Sequence, residues 1–173
     1  MLFLNMKKVI NSLYGVVYLG AIENKLVDLG IHLPAPPKPS GVYVPATTVG
    51  NVVYTSGTGC KMNGEVVFQG QIGNELSIEE GQMAARLAAL NLLSILTDHL
   101  GTLDKVKKIV KVLGFVNCPV GFTEQPKVMN GASELFEEIF GDQGKHTRSA
   151  IGTNALPHNM PVELEMIVEI YEN

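Results

Sequence analysis

The sequence has little that would mark a metal, redox or membrane protein. Its two cysteines, Cys60 and Cys118, stand in no metal-ligand or redox spacing. Unpaired thiols fit a reducing cytoplasm, although two cysteines can also form one disulfide. The four histidines have no close ligand spacing, which indicates that there is no metal site. No apolar run approaches the roughly 18 residues that would span a membrane. We therefore predict a cytoplasmic protein without a metal or a membrane span.

Charge is also sparse, and it does not favour nucleic acid. Charged residues make up 17% of the chain, and the formal net charge is −4. Four lysines cluster on a strand-like stretch, but four charges are few for a surface that binds nucleic acid. Gly57-Thr58-Gly59 is followed by no predicted helix, so it is not a phosphate loop. Neither Ser56 nor Ser149 lies in a nucleophile-elbow pattern. We therefore expect no nucleic-acid partner, and nucleotide binding by a glycine loop is excluded.

The first residues resemble a signal peptide only superficially. A secretory signal begins with its charges and continues with an unbroken apolar block of about 7–15 residues. Here Leu2 precedes the charges Lys7 and Lys8, and Asn11 and Ser12 interrupt the apolar stretch. We predict that residues 1–20 are a poorly ordered extension without a role in the fold, with a secretory signal as the alternative. Residues 21–173 are then one domain.

Hydrophobic periodicity predicts an alternation of strands and helices. Ser77 and Glu80 form a capping-box pattern before a helix that ends at Gly101. A second long helix covers residues 125–140, and a short one covers residues 21–29. Asn63-Gly64 is a tight-turn signal. The predicted strands, of which the third should be irregular near Gly114, are residues 42–48, 52–56, 105–118, 147–155 and 162–171.

The last strand indicates how the layers are arranged. Apolar residues from Val162 to Ile170 alternate with Glu163, Glu165, Ile167 and Glu169. The element order then predicts an α/β (α+β) fold with two layers, in which one mixed sheet carries both long helices on one face. The carboxylate face fits a solvated surface, but a sheet face left uncovered also suggests oligomerisation.

Arg148 is the most informative polar residue. It is one of two arginines, the other being Arg86, and it lies at the start of a predicted strand. Arginine can hold a planar carboxylate through two parallel charge-assisted hydrogen bonds, which lysine cannot reproduce. On composition alone, a surface arginine paired with one of the many carboxylates is the favoured interpretation.

Four segments, read together, resemble the signature of a known family. They are residues 42–44 (VYV), 50–57 (GNVVYTSG), 148–150 (RSA) and 156–165 (LPHNMPVELE). The pattern of arginine-serine, then leucine-proline, then valine-glutamate-x-glutamate is similar to that of the reactive intermediate deaminase (Rid) family, also labelled YjgF-like or L-PSP endoribonuclease-like. The resemblance covers about residues 40–171, with the spacing of a longer, divergent branch.

This resemblance implies a chorismate-mutase-like fold assembled as a homotrimer with three clefts between subunits. Deaminases of the family hydrolyse reactive enamines and imines, such as 2-aminoacrylate, to a 2-keto acid and ammonia. By matching positions, Arg148 would grip the substrate carboxylate and Glu163 would orient or activate the attacking water. Tyr43, Ser56 and Asn130 would line the cleft. No cofactor is implied, because the imine carbon is already electrophilic.

Two departures from the family pattern leave other functions open. Ala150 stands where the compact deaminases commonly have a cysteine, and Thr58 stands where they have a glutamine. Neither change removes the implied contact between Arg148 and the substrate carboxylate, but the substrate range can differ from that of the compact deaminases. The alternatives are a non-catalytic trimer that binds a small carboxylate and an RNA-cleaving protein. The acidic net charge and the lack of a basic or aromatic platform weigh against RNA.

Overall fold

A computed structural model describes residues 9–12, 15–18 and 20–172 of the chain. The helices in this part are α1 (Ala21–Asp28), α2 (Ile78–Leu100) and α3 (Gln125–Phe140), with single 3-10 turns at Leu103–Lys105, Gly141–Gln143 and Pro157–Asn159. The strands are β1 (Val9–Ser12), β2 (Gly15–Tyr18), β3 (Ala46–Val49), β4 (Val52–Thr55), β5 (Thr58–Gly59), β6 (Lys61–Met62), β7 (Glu65–Val66), β8 (Val106–Asn117), β9 (Thr147–Thr153) and β10 (Val162–Ile170).

The main sheet has the order β3-β4-β10-β8-β9, and β5 also pairs with β10. Only the pair β8–β9 is parallel, while the other pairs of this sheet are antiparallel. Two small hairpins, β1–β2 and β6–β7, lie outside it. The predicted mixed sheet of an α+β fold is therefore confirmed.

Helices α2 and α3 begin and end where their sequence signals predict. The hydroxyl of Ser77 accepts from the backbone N–H of Glu80, and the Glu80 carboxylate accepts from the N–H of Ser77, so the capping box is present. Gly101 ends α2 at a φ of 83°, a left-handed conformation that glycine adopts without strain. The predicted apolar face of α3 is buried throughout: Val128, Met129, Ala132, Leu135, Phe136 and Ile139.

Both long helices pack on one face of the sheet, as predicted. On β10 the apolar residues Val162, Leu164, Met166 and Val168 are buried toward the helices, whereas Glu163 and its alternating neighbours are half-buried. The opposite sheet face, here called the open face, carries side chains from four strands: Tyr54, Lys111, Leu113, Phe115, Ser149, Ile151, Glu163, Glu165 and Ile167. Its central apolar side chains are exposed or half-buried, so a large apolar area faces outward in a single copy.

Two strand predictions are wrong in detail. Residues 42–45 are irregular, and the strand begins only at Ala46. Gly114 pairs regularly with Leu164, whereas the register shifts of β8 lie opposite Ile167/Val168 and Glu169/Ile170. Gly114 serves packing instead, because a Cβ there would overlap Met129 of α3.

The structure also bears on the predictions for the N-terminal extension, the cysteines and membrane spans. Most of the predicted extension lies outside the described residues, and the hairpin β1–β2 is the regular structure described within it. Both cysteines are buried free thiols, so they do not form the disulfide that was the alternative. None of the helices described here is long and apolar enough to cross a bilayer.

Candidate functional site

Arg148 lies on the edge strand β9 and points to the helix side of the sheet. Its register partner on β8 is the buried Val112. Its Nη1 donates to the Asn130 side-chain oxygen at 3.1 Å and to the Ser133 hydroxyl at 2.9 Å, and its Nη2 donates to the Pro126 carbonyl at 3.0 Å. Three of the five N–H groups of a guanidinium are thus used by α3. The N–H of Nε and one N–H of Nη2 have no partner among the described residues.

This arrangement is suited to a carboxylate. The Nε and Nη2 donors of arginine form a planar fork that matches the two oxygens of a carboxylate. Burial lowers the pKa of Arg148, but a guanidinium remains protonated at neutral pH. The three bonds to α3 fix its orientation, so little side-chain entropy remains to be lost on binding an anion. Asn130, the least obvious of the predicted site residues, contacts Arg148 directly.

Sequence reasoning missed two residues of this cluster, Ser133 and His146. Ser133 follows Asn130 by three positions on α3, and His146 precedes Arg148 by two positions, so each shares a face with a residue that was predicted. The Ser133 hydroxyl lies 3.0 Å from His146 Nε2, and His146 Nδ1 lies 2.6 Å from the Gly144 carbonyl oxygen. Burial lowers the pKa of His146, and the charge of Arg148 acts in the same direction. These side chains line an open cavity of about 360 Å³, the arginine cavity, with Glu137 and Lys145.

Glu163 lies in a different cavity. This glutamate cavity has a volume of about 120 Å³, and its lining includes Tyr43, Ser56, Lys61, His158 and Glu163. The Glu163 carboxylate lies against Gly57, where a Cβ would overlap its Oε1, so glycine leaves the room that the carboxylate occupies. Burial raises the pKa of Glu163, the neighbouring Glu165 raises it further, and Lys61 opposes both. A carboxylate with a raised pKa is a stronger base in its ionised form than an exposed one.

Tyr43 and Ser56 lie beside Glu163 but are tied to each other through the backbone. The Ser56 hydroxyl donates to the Val44 carbonyl at 2.7 Å, and its N–H donates to the Pro45 carbonyl at 2.8 Å. Ser56 therefore holds the irregular segment that carries Tyr43. Tyr43 is 49% exposed and its hydroxyl accepts from the Ser40 N–H at 3.2 Å, so the ring stands at the mouth of the cavity.

The two groups of predicted site residues do not meet within one chain. Arg148 pairs with Val112 of β8, and Val112 pairs in turn with Met166 of β10. Met166 lies three residues from Glu163 along β10. Two strand spacings of roughly 4.8 Å and three residues of roughly 3.3 Å place the two Cα atoms roughly 14 Å apart. Moreover, Arg148 points to the helix side and Glu163 to the open face. A small substrate therefore cannot contact both residues of the same copy.

Neither cavity offers a metal site. Within the described part of the chain, no three side chains of His, Cys, Asp or Glu are grouped to hold a metal ion. The chemistry available is that of an anion anchor at Arg148, a hydroxyl–imidazole pair beside it, and a base at Glu163.

Comparisons with known proteins agree with this fold. The family model described as "YjgF/chorismate mutase-like, putative endoribonuclease" matches residues 23–171. Protein TCP17 of Trypanosoma cruzi is 41% identical over 156 residues, which cover 90% of this chain and 98% of TCP17. The 2-iminobutanoate/2-iminopropanoate deaminase of Dermatophagoides farinae is 30% identical over 141 residues, or 81% of this chain and 94% of the deaminase.

A solved structure supports the assignment independently. Protein Atu1372 of Agrobacterium tumefaciens, whose function is unknown, superimposes with a TM-score of 0.80 at 38% identity, covering 87% of this chain and 94% of its own. The fold, the matched residues 23–171 and these relatives agree with the resemblance read from four short segments. The chain belongs to the YjgF/Rid-like family.

Proposed function

We propose that this protein hydrolyses small imines and enamines that carry a carboxylate, of the 2-aminoacrylate type, to 2-keto acids and ammonia. The observation that carries the proposal is the Arg148 guanidinium, which α3 holds by three hydrogen bonds while its Nε side stays free for a carboxylate. The activity of the Dermatophagoides farinae relative, named for two 2-imino acids, supports the same substrate class.

We further propose that the site is assembled between copies of the chain in a homotrimer. The Arg148–Asn130 group of one copy would then face the Glu163 group of its neighbour. The separation of the two cavities within one chain supports this arrangement, as do the outward-facing Leu113, Phe115 and Ile151 of the open face. Val42 and Val44, which flank Tyr43 in the chain, are 110% and 62% exposed and add to the apolar surface that faces outward.

The proposed reaction needs only water. Arg148 neutralises and orients the substrate carboxylate, which places the imine carbon at the cleft. A water oxygen attacks that carbon while Glu163 accepts a proton from the water. The protonated Glu163 gives this proton to the imine nitrogen, which forms a carbinolamine. Glu163 then takes the proton of the carbinolamine hydroxyl and passes it to the nitrogen, and the C–N bond breaks, so that ammonia leaves as the keto group forms. No cofactor takes part, because the imine carbon is already electrophilic.

Ala150 bears on the chemistry but not on the anchor. It follows Arg148 by two positions on the same face of β9, so the arginine cavity has no thiol at this position. The proposed steps use no sulfur. The family description also mentions endoribonuclease activity, but an acidic chain with a net charge of −4 lacks the charge for tight RNA binding.

The decisive experiment measures release of ammonia and keto acid from freshly generated 2-aminoacrylate. We expect Arg148→Ala to lower kcat/KM by at least about 100-fold, because a charge-assisted bidentate contact contributes roughly 3 kcal/mol. Arg86→Ala is the matched control, since Arg86 pairs on the surface with Glu138 at 2.9 Å. An Arg148→Ala variant with full activity would contradict the proposal. No acceleration by the wild type would leave a carboxylate-binding protein, which a binding titration with pyruvate would detect.

A further inference from the structure

Ser133 lies between a histidine and a cation, and the direction of each hydrogen bond can be assigned. The Gly144 carbonyl can only accept, so His146 Nδ1 carries the proton. In the neutral ring Nε2 is then an acceptor, and the Ser133 hydroxyl donates to it at 3.0 Å. The Ser133 oxygen in turn accepts from Arg148 Nη1 at 2.9 Å. The proton of Ser133 is therefore directed at a base, while its oxygen faces a positive charge.

His146 is held as a neutral, oriented base. Burial lowers its pKa, the positive charge of Arg148 lowers it further, and the Gly144 carbonyl opposes both effects. The ring packs edge-on against Phe136, with centroids 5.7 Å apart and an interplanar angle of 83°. The charged groups that line the same cavity are Arg148 from β9, Glu137 from α3 and Lys145 from the preceding loop. Lys145 contacts Asp142 at 2.7 Å, so its charge is partly satisfied elsewhere.

Two other serines lack this combination. Ser149 accepts from Lys111 at 2.7 Å but has no histidine, and it faces the open side of β9. Ser94 donates to the carbonyl of Leu90 in its own helix and is buried. Ser133 combines a base, a cation and access to a cavity. A hydroxyl bonded to a base that a third group orients is the general arrangement of an activated nucleophile.

We propose that Ser133 is a nucleophile activated by His146, and that this pair hydrolyses small esters whose acyl part carries a carboxylate bound by Arg148. Ser133 Oγ attacks the ester carbonyl carbon as its proton passes to His146 Nε2. The C–O bond of the leaving alcohol breaks, and the alcohol takes that proton. Water then attacks the acyl-serine, gives its proton to His146, and releases the acid as Oγ is reprotonated. This reaction uses the same Arg148 as the imine hydrolysis, but it does not need Glu163.

The first test is covalent labelling with diisopropyl fluorophosphate, followed by peptide mass spectrometry. We expect the added mass on the peptide that contains Ser133, in the wild type and equally in the Ser149→Ala control. In His146→Gln, labelling should slow by about 100-fold, since an amide can accept a hydrogen bond but cannot take the proton. Because the label is located in the wild type, the test does not depend on the folding of a variant. No label, or a label on another serine, overturns the proposal.

The second test compares two esters that differ in one charge. We expect mono-p-nitrophenyl succinate to be hydrolysed at least about 10-fold faster than p-nitrophenyl butyrate, and Arg148→Ala to remove that preference. Ser133→Ala should abolish turnover of both esters. Ester turnover that survives in Ser133→Ala contradicts the inference. If the wild type hydrolyses 2-aminoacrylate but neither ester, this inference fails and the proposed function stands. If it hydrolyses the esters but not 2-aminoacrylate, the proposed function fails and this inference stands.

Discussion

Glu163 is a residue at which stability and the proposed activity oppose each other. Its carboxylate is half-buried and has no ion pair among the described residues, and burial raises its pKa above 4.5. Ionising the group therefore costs more in the folded chain than in the unfolded one. This cost is absent at low pH, develops as the pH rises through 4.5 to the folded pKa, and is constant above it.

We therefore expect Glu163→Gln to raise Tm near pH 7.5 and to abolish imine hydrolysis. Near pH 4, where the wild-type carboxyl is largely protonated in both states, the difference in Tm should shrink toward zero. Thermal unfolding of both proteins at the two pH values measures the effect. Glu65→Gln, at an exposed strand position, is the control and should change Tm little. A variant less stable than the wild type at pH 7.5 would contradict the assigned cost.

His146 gives the opposite dependence on pH. Its folded pKa is lowered below 6.5, mainly by burial. Above about pH 6.5 the ring is neutral in both states and contributes no dependence. As the pH falls from there through the folded pKa, the unfolded chain binds the proton first, so stability falls. The ring contacts Ser133, the Gly144 carbonyl and Phe136, and the charged groups that line its cavity are Arg148, Glu137 and Lys145.

Replacing His146 by Gln should flatten this part of the stability profile. We expect Tm of the wild type to fall more steeply between about pH 6.5 and pH 5 than Tm of His146→Gln. The slopes are compared rather than the absolute values, because the substitution also changes the contact with Phe136. His32→Gln, at an exposed position, should keep the wild-type slope. Parallel slopes for the wild type and His146→Gln would show that the ring is not held neutral by burial.

Helix α3 organises the arginine cavity as a single element. One stripe of its surface supplies the Pro126 carbonyl, the Asn130 side chain and the Ser133 hydroxyl to Arg148, at helical intervals of four and three. The opposite stripe is buried against α2 and the sheet. At the crossing of the helices, a Cβ on Gly131 would overlap the backbone carbonyl oxygen of Gln82. Gly131 therefore allows α3 to approach α2 and present its polar stripe to β9.

This contact reverses the usual effect of replacing a helical glycine. Gly→Ala within an exposed helix gains up to about 1 kcal/mol. Gly131→Ala should instead lower the free energy of unfolding by about 1–3 kcal/mol, because backbone atoms must move apart. Urea unfolding measures this change, and Glu134→Ala at an exposed position of α3 is the control. Imine turnover should fall with it, since Asn130 and Ser133 flank the glycine. A stabilised Gly131→Ala variant would show that the helices separate without cost.

Local sequence signals predicted the helices well because each signal acts within one element. The bounds of α3 and its buried face follow from apolar spacing, and the start of α2 follows from Ser77 and Glu80. Gly114 was misinterpreted because a glycine in a strand fits either a bulge or a close packing partner, and only the position of Met129 decides between them. The polar clusters depend on contacts between elements. Alternation along the last strand placed Glu163 on the uncovered face, but spacing alone did not reveal that Ser133 and His146 meet at Arg148, or that Arg148 points to the helix side of the sheet.

At the scale of the whole molecule, the open face determines how the site can be completed. Apolar side chains from three strands and the exposed segment at residues 42–44 need a covering surface, and a second copy of the chain would supply one. We expect a particle of three times 18.7 kDa, about 56 kDa, in solution. Light scattering measures this directly. Ile151→Glu should disrupt the particle, whereas Met83→Glu, at an exposed position of α2, should not. A wild-type mass near 18.7 kDa would overturn the trimer.

The division of the site between copies can be tested by complementation. Arg148→Ala and Glu163→Gln chains should each be inactive alone. When they are unfolded together in equal amounts and refolded, a cleft is intact if one neighbour supplies Arg148 and the other supplies Glu163. Random assembly makes each condition true half of the time, so about one quarter of the clefts should regain wild-type composition.

Turnover of 2-aminoacrylate by the refolded mixture, relative to refolded wild type, measures this fraction. The control mixes two preparations of Arg148→Ala, in which no cleft can be restored. A site contained within one chain predicts no recovery, because every chain lacks one of the two groups. Recovery near one quarter would therefore establish that Arg148 and Glu163 act across a subunit boundary, as we propose from their positions on opposite faces of one sheet.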